Sequence, residues 1–238
     1  LHPMQADPFI EPINQAIARY SIGYLYKDLG DYPQALAAYD RSLSIFDKAG
    51  IGADSNDRRA AERFRAEVLG FMGRSGEAHD LLLRQRERVR ASDGEDSTAY
   101  FEATWLLLQT AALTNELSQA EPLLSEARRL AGKMVPSTHH FFIRFQRYDA
   151  QFAAARGDLA AAIRHQDEVL GKLAAKDDLQ PATLAVARAE KAVYLARANR
   201  RKEARDLLAL AMPPLREHLL PQHVNRARFE GLARQLGV

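Results

Sequence analysis

The sequence predicts an all-α fold in which five consecutive helix pairs stack as a solenoid and a single helix covers the end. Three observations predict it. Ala, Leu, Arg, Glu and Gln dominate the 238 residues while β-branched residues are scarce, so helix propensity is high along the chain. No run of four or more alternating Val, Ile, Thr or Tyr residues stands between turn signals, so a strand has nowhere to form. A unit of about 42 residues recurs five times, which is the signature of a repeat architecture.

The repeating mark is a Gly or Asn followed five residues later by Ala. It occurs as Gly30 to Ala35, Gly73 to Ala78, Asn115 to Ala120, Gly157 to Ala162 and Asn199 to Ala204. Successive alanines lie 43, 42, 42 and 42 residues apart. Before each mark stands a segment with 3.6-residue periodicity: 13–29, 58–72, 98–114, 137–156 and 182–198. After each comes a second: 33–48, 75–90, 118–133, 159–174 and 202–216. The Gly or Asn between them suits a helix end that needs left-handed backbone. The alanines suit a close helix crossing, with Tyr39, Leu82 and Leu124 filling the space four residues on. Gln166 holds that place in the fourth unit and departs from the pattern.

Residues 50–57, 92–96, 135–137 and 177–181 read as loops between pairs, and several end in helix-start residues. A last segment, 222–236, has no partner after it and is expected to cover the open end of the stack. The expected organisation is one domain over 1–238, with repeats at about 13–50, 58–91, 98–133, 137–175 and 182–217 and a capping helix at 222–236.

Gly23, Tyr26, Gly30, Tyr32, Ala35 and Tyr39 stand at the spacing of the signature residues of the tetratricopeptide repeat (TPR), and the chain resembles that family over about residues 13–237. The 42-residue period resembles the longer variant found in kinesin light chains and bacterial regulators. Ala120-Glu121-Pro122-Leu123-Leu124 is similar to its second-helix opening and Leu220-Pro221-Gln222-His223 to its inter-repeat linker. Departures are the missing large residue early in most first helices, and Gln85 and Val169 where Ser42 and Ala127 keep the usual small residue. The resemblance implies a right-handed α-solenoid of five TPR-like pairs plus the capping helix, and a concave wall of first helices that binds a partner peptide or helix.

Periodicity selects the residues on that wall. With Gly23, Ala66, Leu108, Ala150 and Ala192 at the packing seam, the open face carries Tyr20, Tyr24 and Lys27, then Arg63, Glu67 and Phe71, then Glu102, Trp105 and Gln109. The fourth pair adds Arg144, Arg147, Tyr148 and Gln151, and the fifth Glu190 and Arg197. Aromatics beside Arg and Gln have the composition of binding surfaces. The partner-binding set expected is Tyr20, Tyr24, Lys27, Arg63, Glu67, Trp105, Gln109, Arg144, Arg147, Tyr148 and Gln151. Trp105, the sole tryptophan, has two readings, wall anchor or core. Family members that clamp a peptide's free C-terminus use Lys and Asn where this chain has Tyr20 and Tyr24, while Arg63, Arg144 and Arg147 could hold acidic or phosphorylated side chains.

Composition and motifs exclude other classes. The net charge of +2 gives no global field toward nucleic acid, and the absence of cysteine removes disulfides, thiolate metal sites and a cysteine nucleophile. No phosphate-binding glycine motif, H-E-x-x-H or G-x-S-x-G occurs. His139-His140 reads as a solvated or capping pair, and Arg84, Arg86, Arg88 and Arg90 as a solvated face. The carboxylate pairs Asp177-Asp178 and Glu95-Asp96 read as helix-start charges in loops. No signal peptide is visible and no apolar run reaches membrane-span length. The first residue is Leu, so the chain is expected to be a piece of something longer.

The expected function is therefore a non-enzymatic protein–protein interaction module without cofactor or metal. It would be the docking or regulatory part of a larger bacterial signalling protein, with no nucleic-acid partner and no membrane insertion within this chain. The compartment expected is the cytoplasm, or the periplasm if the parent protein carries an upstream anchor. Exposed seams at the first and last pairs would permit a homodimer. The alternative is a sensor whose curvature changes on binding a short signalling peptide or small ligand.

Overall fold

The protein is described here from a computed structural model, covering residues 11–113, 116–176 and 179–238. The turn residue Asn115, the end of the predicted segment at Thr114, and the pair Asp177-Asp178 lie outside the described residues. Among the described residues there are eleven helices and no strand. They are α1 (Pro12–Leu29), α2 (Tyr32–Lys48), α3 (Asn56–Phe71), α4 (Ser75–Ser92), α5 (Thr98–Leu113), α6 (Leu117–Met134), α7 (His140–Ala155), α8 (Leu159–Ala174), α9 (Pro181–Arg197), α10 (Arg201–His218) and α11 (Val224–Leu236). Each matches a predicted segment.

The turns inside the pairs share one geometry. Gly30, Gly73, Gly157 and Asn199 all have positive φ, at 83°, 78°, 90° and 60°. In each case the next residue's N–H returns to a carbonyl five residues back: Asp31 to Tyr26, Arg74 to Leu69, Asp158 to Ala153 and Arg200 to Leu195, at 2.8–2.9 Å. This closes the orphan carbonyls of the first helix and aims the chain into the second. The second helix then starts in one of two ways. Asp31 and Asp158 accept the N–H of Gln34 and Ala161. Arg74 and Arg200 instead form two-pronged pairs with Glu77 and Glu203 three residues on.

Three predicted starts are corrected: the segment predicted from 58 begins two residues earlier, at Asn56, and two others begin later. The segment predicted from 137 begins as helix at His140, and the one predicted from 222 begins at Val224. In both, the histidine just before, His139 or His223, caps the helix by accepting an N–H on Nδ1, from Phe141 at 3.4 Å and Asn225 at 3.2 Å. Histidine capping is the capping role read for His139.

The helices group into two compact units, 1–114 and 115–238. In the first, α1 packs on α2, α2 on α3, α3 on α4, and α5 on both α3 and α4. Ala35 and Ala78 are fully buried at their crossings, with Tyr39 and Leu82 fully buried beside them. Gly23 lies against the Tyr39 ring so closely that a Cβ would come within 2.7 Å of Cε1. Side chains late in the second helices bond back to the first: Ser42 Oγ donates to the Ala16 carbonyl at 2.8 Å and Gln85 Nε2 to the Arg59 carbonyl at 3.0 Å. The glutamine at the non-consensus position thus satisfies a buried carbonyl, as the serine does.

In the second unit α7 packs on α8, α8 on α9, α9 on α10, and α11 on α10 and α9. Ala120, Ala162 and Ala204 are fully buried. Gln166, the departure at the large-residue place, is buried too. Its Nε2 donates to the Ala187 carbonyl at 2.8 Å and to Glu190 at 3.2 Å, so it links α8 to α9 by hydrogen bonds instead of apolar packing. Phe229 and Ala233 of α11 join the core of Leu208, Met212 and Leu215, as a capping helix requires.

Candidate functional site

In the first unit, α1 and α3 bring Tyr20, Tyr24, Lys27, Arg63 and Glu67 onto one face. The Phe64 ring ties them together, lying 6.5 Å from Tyr20, 5.5 Å from Tyr24 in edge geometry, and 6.1 Å from the buried Tyr39. Lys27 Nζ lies 4.6 Å from the centre of the Tyr24 ring and 2.9 Å from Glu67. Tyr24 remains 41% exposed. Burial raises the pKa of the Tyr20 hydroxyl, and the Asp57 carboxylate beside it adds to the shift.

Arg63 extends this face toward α5. Its guanidinium sits 2.9 Å from Glu102, and burial, only partly offset by that carboxylate, lowers its pKa. Of the α5 residues expected here, Gln109 is half-buried. Trp105 is only 7% exposed, so the core reading holds and its place among the wall anchors is corrected. The reason is local composition: α5 is apolar nearly all round, so most of its surface, Trp105 included, packs into the core.

In the second unit the expected residues lie on α7. Arg144 is exposed, Gln151 is half-buried and Tyr148 stacks on Phe152 with ring centres 6.0 Å apart. Arg147 reaches α9 and forms a two-pronged pair with Glu190, at 2.6 and 3.0 Å. Arg228 of α11 lies 3.8 Å from the same carboxylate. Burial disfavours both charges of the pair. Their mutual attraction and hydrogen bonds outweigh it, lowering the pKa of Glu190 and raising that of Arg147.

These contacts correct one expectation. Arg63 and Arg147 are not open cations awaiting a ligand's carboxylate or phosphate, because each is engaged by a carboxylate of the next first helix. Lys27 with Glu67, Arg63 with Glu102 and Arg147 with Glu190 are the same contact in three places. A cation followed 39–43 residues later by an acid was the sequence signal for it. Phe64 was missed because it falls just off the positions counted from the seam, and Arg228 because the count stopped at the fifth pair and left out α11. No group of three or more His, Asp or Glu side chains among the described residues could hold a metal ion. No helix of the described residues is long and apolar enough to cross a membrane.

The family model described as tetratricopeptide repeat matches residues 14–84, which span α1 to α3 and half of α4. No curated protein matches the sequence. Among solved structures, the kinesin light chain TPR-like repeats of Podosopora anserina share 17% identity at a TM-score of 0.58, covering 87% of this chain and 97% of that one. BtubC from P. vanneervenii shares 14% at 0.61, covering 86% and 82%. A Rap protein complexed with competence and sporulation factor shares 14% at 0.62, covering 96% of this chain and 65% of its own. At such identities the likeness is one of fold. The left-handed turns, the buried alanines at the pair crossings and the solved structures together show a TPR-like fold, with the tetratricopeptide-repeat match itself confined to residues 14–84.

Proposed function

We propose that this chain is a non-enzymatic interaction module that docks a partner peptide or helix against its first helices, as the regulatory or docking part of a larger bacterial signalling protein. The TPR-like fold suggests protein–protein interaction. The observation that carries the finer reading is the exposed Tyr24 ring, held on edge by Phe64 and flanked by Lys27. A rigid aromatic with a cation at its side is a low-entropy anchor for a partner side chain. The intramolecular pairs of Arg63 and Arg147 leave apolar and aromatic contact, not free cations, as the main source of affinity on this face.

The test is selection from a random peptide library on the intact chain, with Tyr24→Ala alongside. Recovery of a peptide motif by the parent chain, and its loss in Tyr24→Ala with helicity unchanged, supports the reading. Failure to enrich any motif, or equal recovery by both, refutes it. Saturable binding of a small metabolite in place of peptides would favour the sensor alternative.

A further inference from the structure

At the far end of the second unit, the end of α9, the start of α10 and one face of α11 from Arg228 to Leu236 border an open cleft of about 420 Å³. Its floor is apolar. Val193 and Ala196 come from α9, and Leu232 and Leu236 from α11, all half-buried extensions of the core beneath. Its rim is cationic, with Arg197, Arg201 and Arg228 all lining the cleft and no acidic side chain among the lining residues. The three arginines differ in what they already hold. Arg197 donates to the Ala154 carbonyl at 2.8 Å. Arg228 lies over the Phe229 ring and 3.8 Å from Glu190, whose carboxylate is already taken by Arg147. Arg201 is exposed, has no ion pair among the described residues, and is the first residue of α10, where the helix dipole adds positive potential.

We propose that this cleft docks an acidic peptide segment, one carboxylate pairing with Arg201 and an apolar side chain of the same segment resting on the floor. The inference rests on the reading of the chain as an interaction module, and it names a site and a partner chemistry within it. The cleft is open, so it would seat one or two side chains of a segment lying across it and would not enclose a ligand. A guanidinium receives a carboxylate through two parallel hydrogen bonds. The apolar floor gives the hydrophobic side chain its place and gives nucleic acid none.

The experiment uses a fluorescein-labelled ten-residue peptide of alternating leucine and glutamate pairs, with a control in which lysine replaces glutamate. Anisotropy is read on the intact chain and on Arg201→Glu, Leu232→Asp and Tyr24→Ala, each checked for unchanged helicity. Expected are saturable binding of the acidic peptide, weakening by about tenfold or more in Arg201→Glu, little change in Tyr24→Ala, and weakening as salt is raised. Leu232→Asp should weaken binding as well, separating a mixed site from a simple charge effect. Equal affinity for the lysine peptide, equal affinity of Arg201→Glu, or no saturable binding overturns the proposal. So does displacement of the peptide by decanoate with the same dependence on Arg201, which would make a small carboxylate the ligand. Dependence on Tyr24 but not on Arg201 would sink the cleft and leave the interaction reading standing. A silent peptide library would sink that reading instead.

Discussion

Replacing Glu190 by Gln tests whether the α7–α9 ion pair holds the second unit together. The Glu190 side chain is 10% exposed and that of Arg147 is 31%. Removing one partner of a buried pair costs about 3–5 kcal/mol. Arg147 is open enough to regain part of its hydration, and the Gln carbonyl keeps one of the two hydrogen bonds, so roughly half of that, about 2 kcal/mol, is expected. For a chain of this length it corresponds to a fall in Tm of about 4–8 °C, read by far-UV circular dichroism. Arg147→Met should cost a similar amount, and the double variant less than the sum, with a coupling of about 1–2 kcal/mol. Because attraction to Arg147 lowers the pKa of Glu190 below its ordinary 4.5, the unfolded chain takes up the proton first. The stabilisation is therefore complete above that value and is lost as the pH falls through the folded-state pKa. The stabilities of the parent chain and Glu190→Gln should converge as the pH is lowered below 4.5. A Glu190→Gln variant within about 0.5 kcal/mol of the parent at neutral pH, or additive single variants, would refute the reasoning.

Two glycines inside helices should respond in opposite directions to alanine. Gly171 of α8 has nothing within 4 Å of a built Cβ, so Gly171→Ala should raise stability by about 0.5–1 kcal/mol through helix propensity alone. Gly23→Ala gains the same propensity but drives a methyl to 2.7 Å from the buried Tyr39 ring, so overpacking of about 1–3 kcal/mol should leave a net loss. Urea midpoints of the two variants check this. Phe229→Ala removes the fully buried anchor of α11 and should cost about 3–5 kcal/mol. Hydrogen exchange should then show α11 opening while α7 and α8 stay protected.

The helices and their turns were legible because they follow from local rules. A glycine or asparagine that must turn left-handed, an alanine that must let two backbones approach, and a 3.6-residue apolar period are all written within a few dozen residues. Among the boundaries missed were the two starts capped by His139 and His223, because histidine is a rare cap and its Nδ1 acceptance depends on the ring's orientation. The grouping on α1 and α3 was legible in the periodicity, and the structure brings Tyr20, Tyr24, Lys27, Arg63 and Glu67 together. Their electrostatic state was not legible. Arg63 and Arg147 looked like free cations when read one helix at a time, and only the neighbouring helix supplies Glu102 and Glu190. Trp105 was ambiguous for a related reason, since periodicity cannot choose a face on a helix as uniformly apolar as α5.

The chain alone dictates which segments are helical, which pairs they form and which small residues lie at the crossings, because those depend on propensity, periodicity and steric contact between near neighbours. Which charges are already neutralised, which aromatic stays exposed and where a cationic rim meets an apolar floor were decided by packing between helices some forty residues apart. Desolvation and ion pairing act through space, and a repeat of this length places Lys27, Arg63 and Arg147 each beside an acid of the next first helix, where no reading of one helix at a time looks.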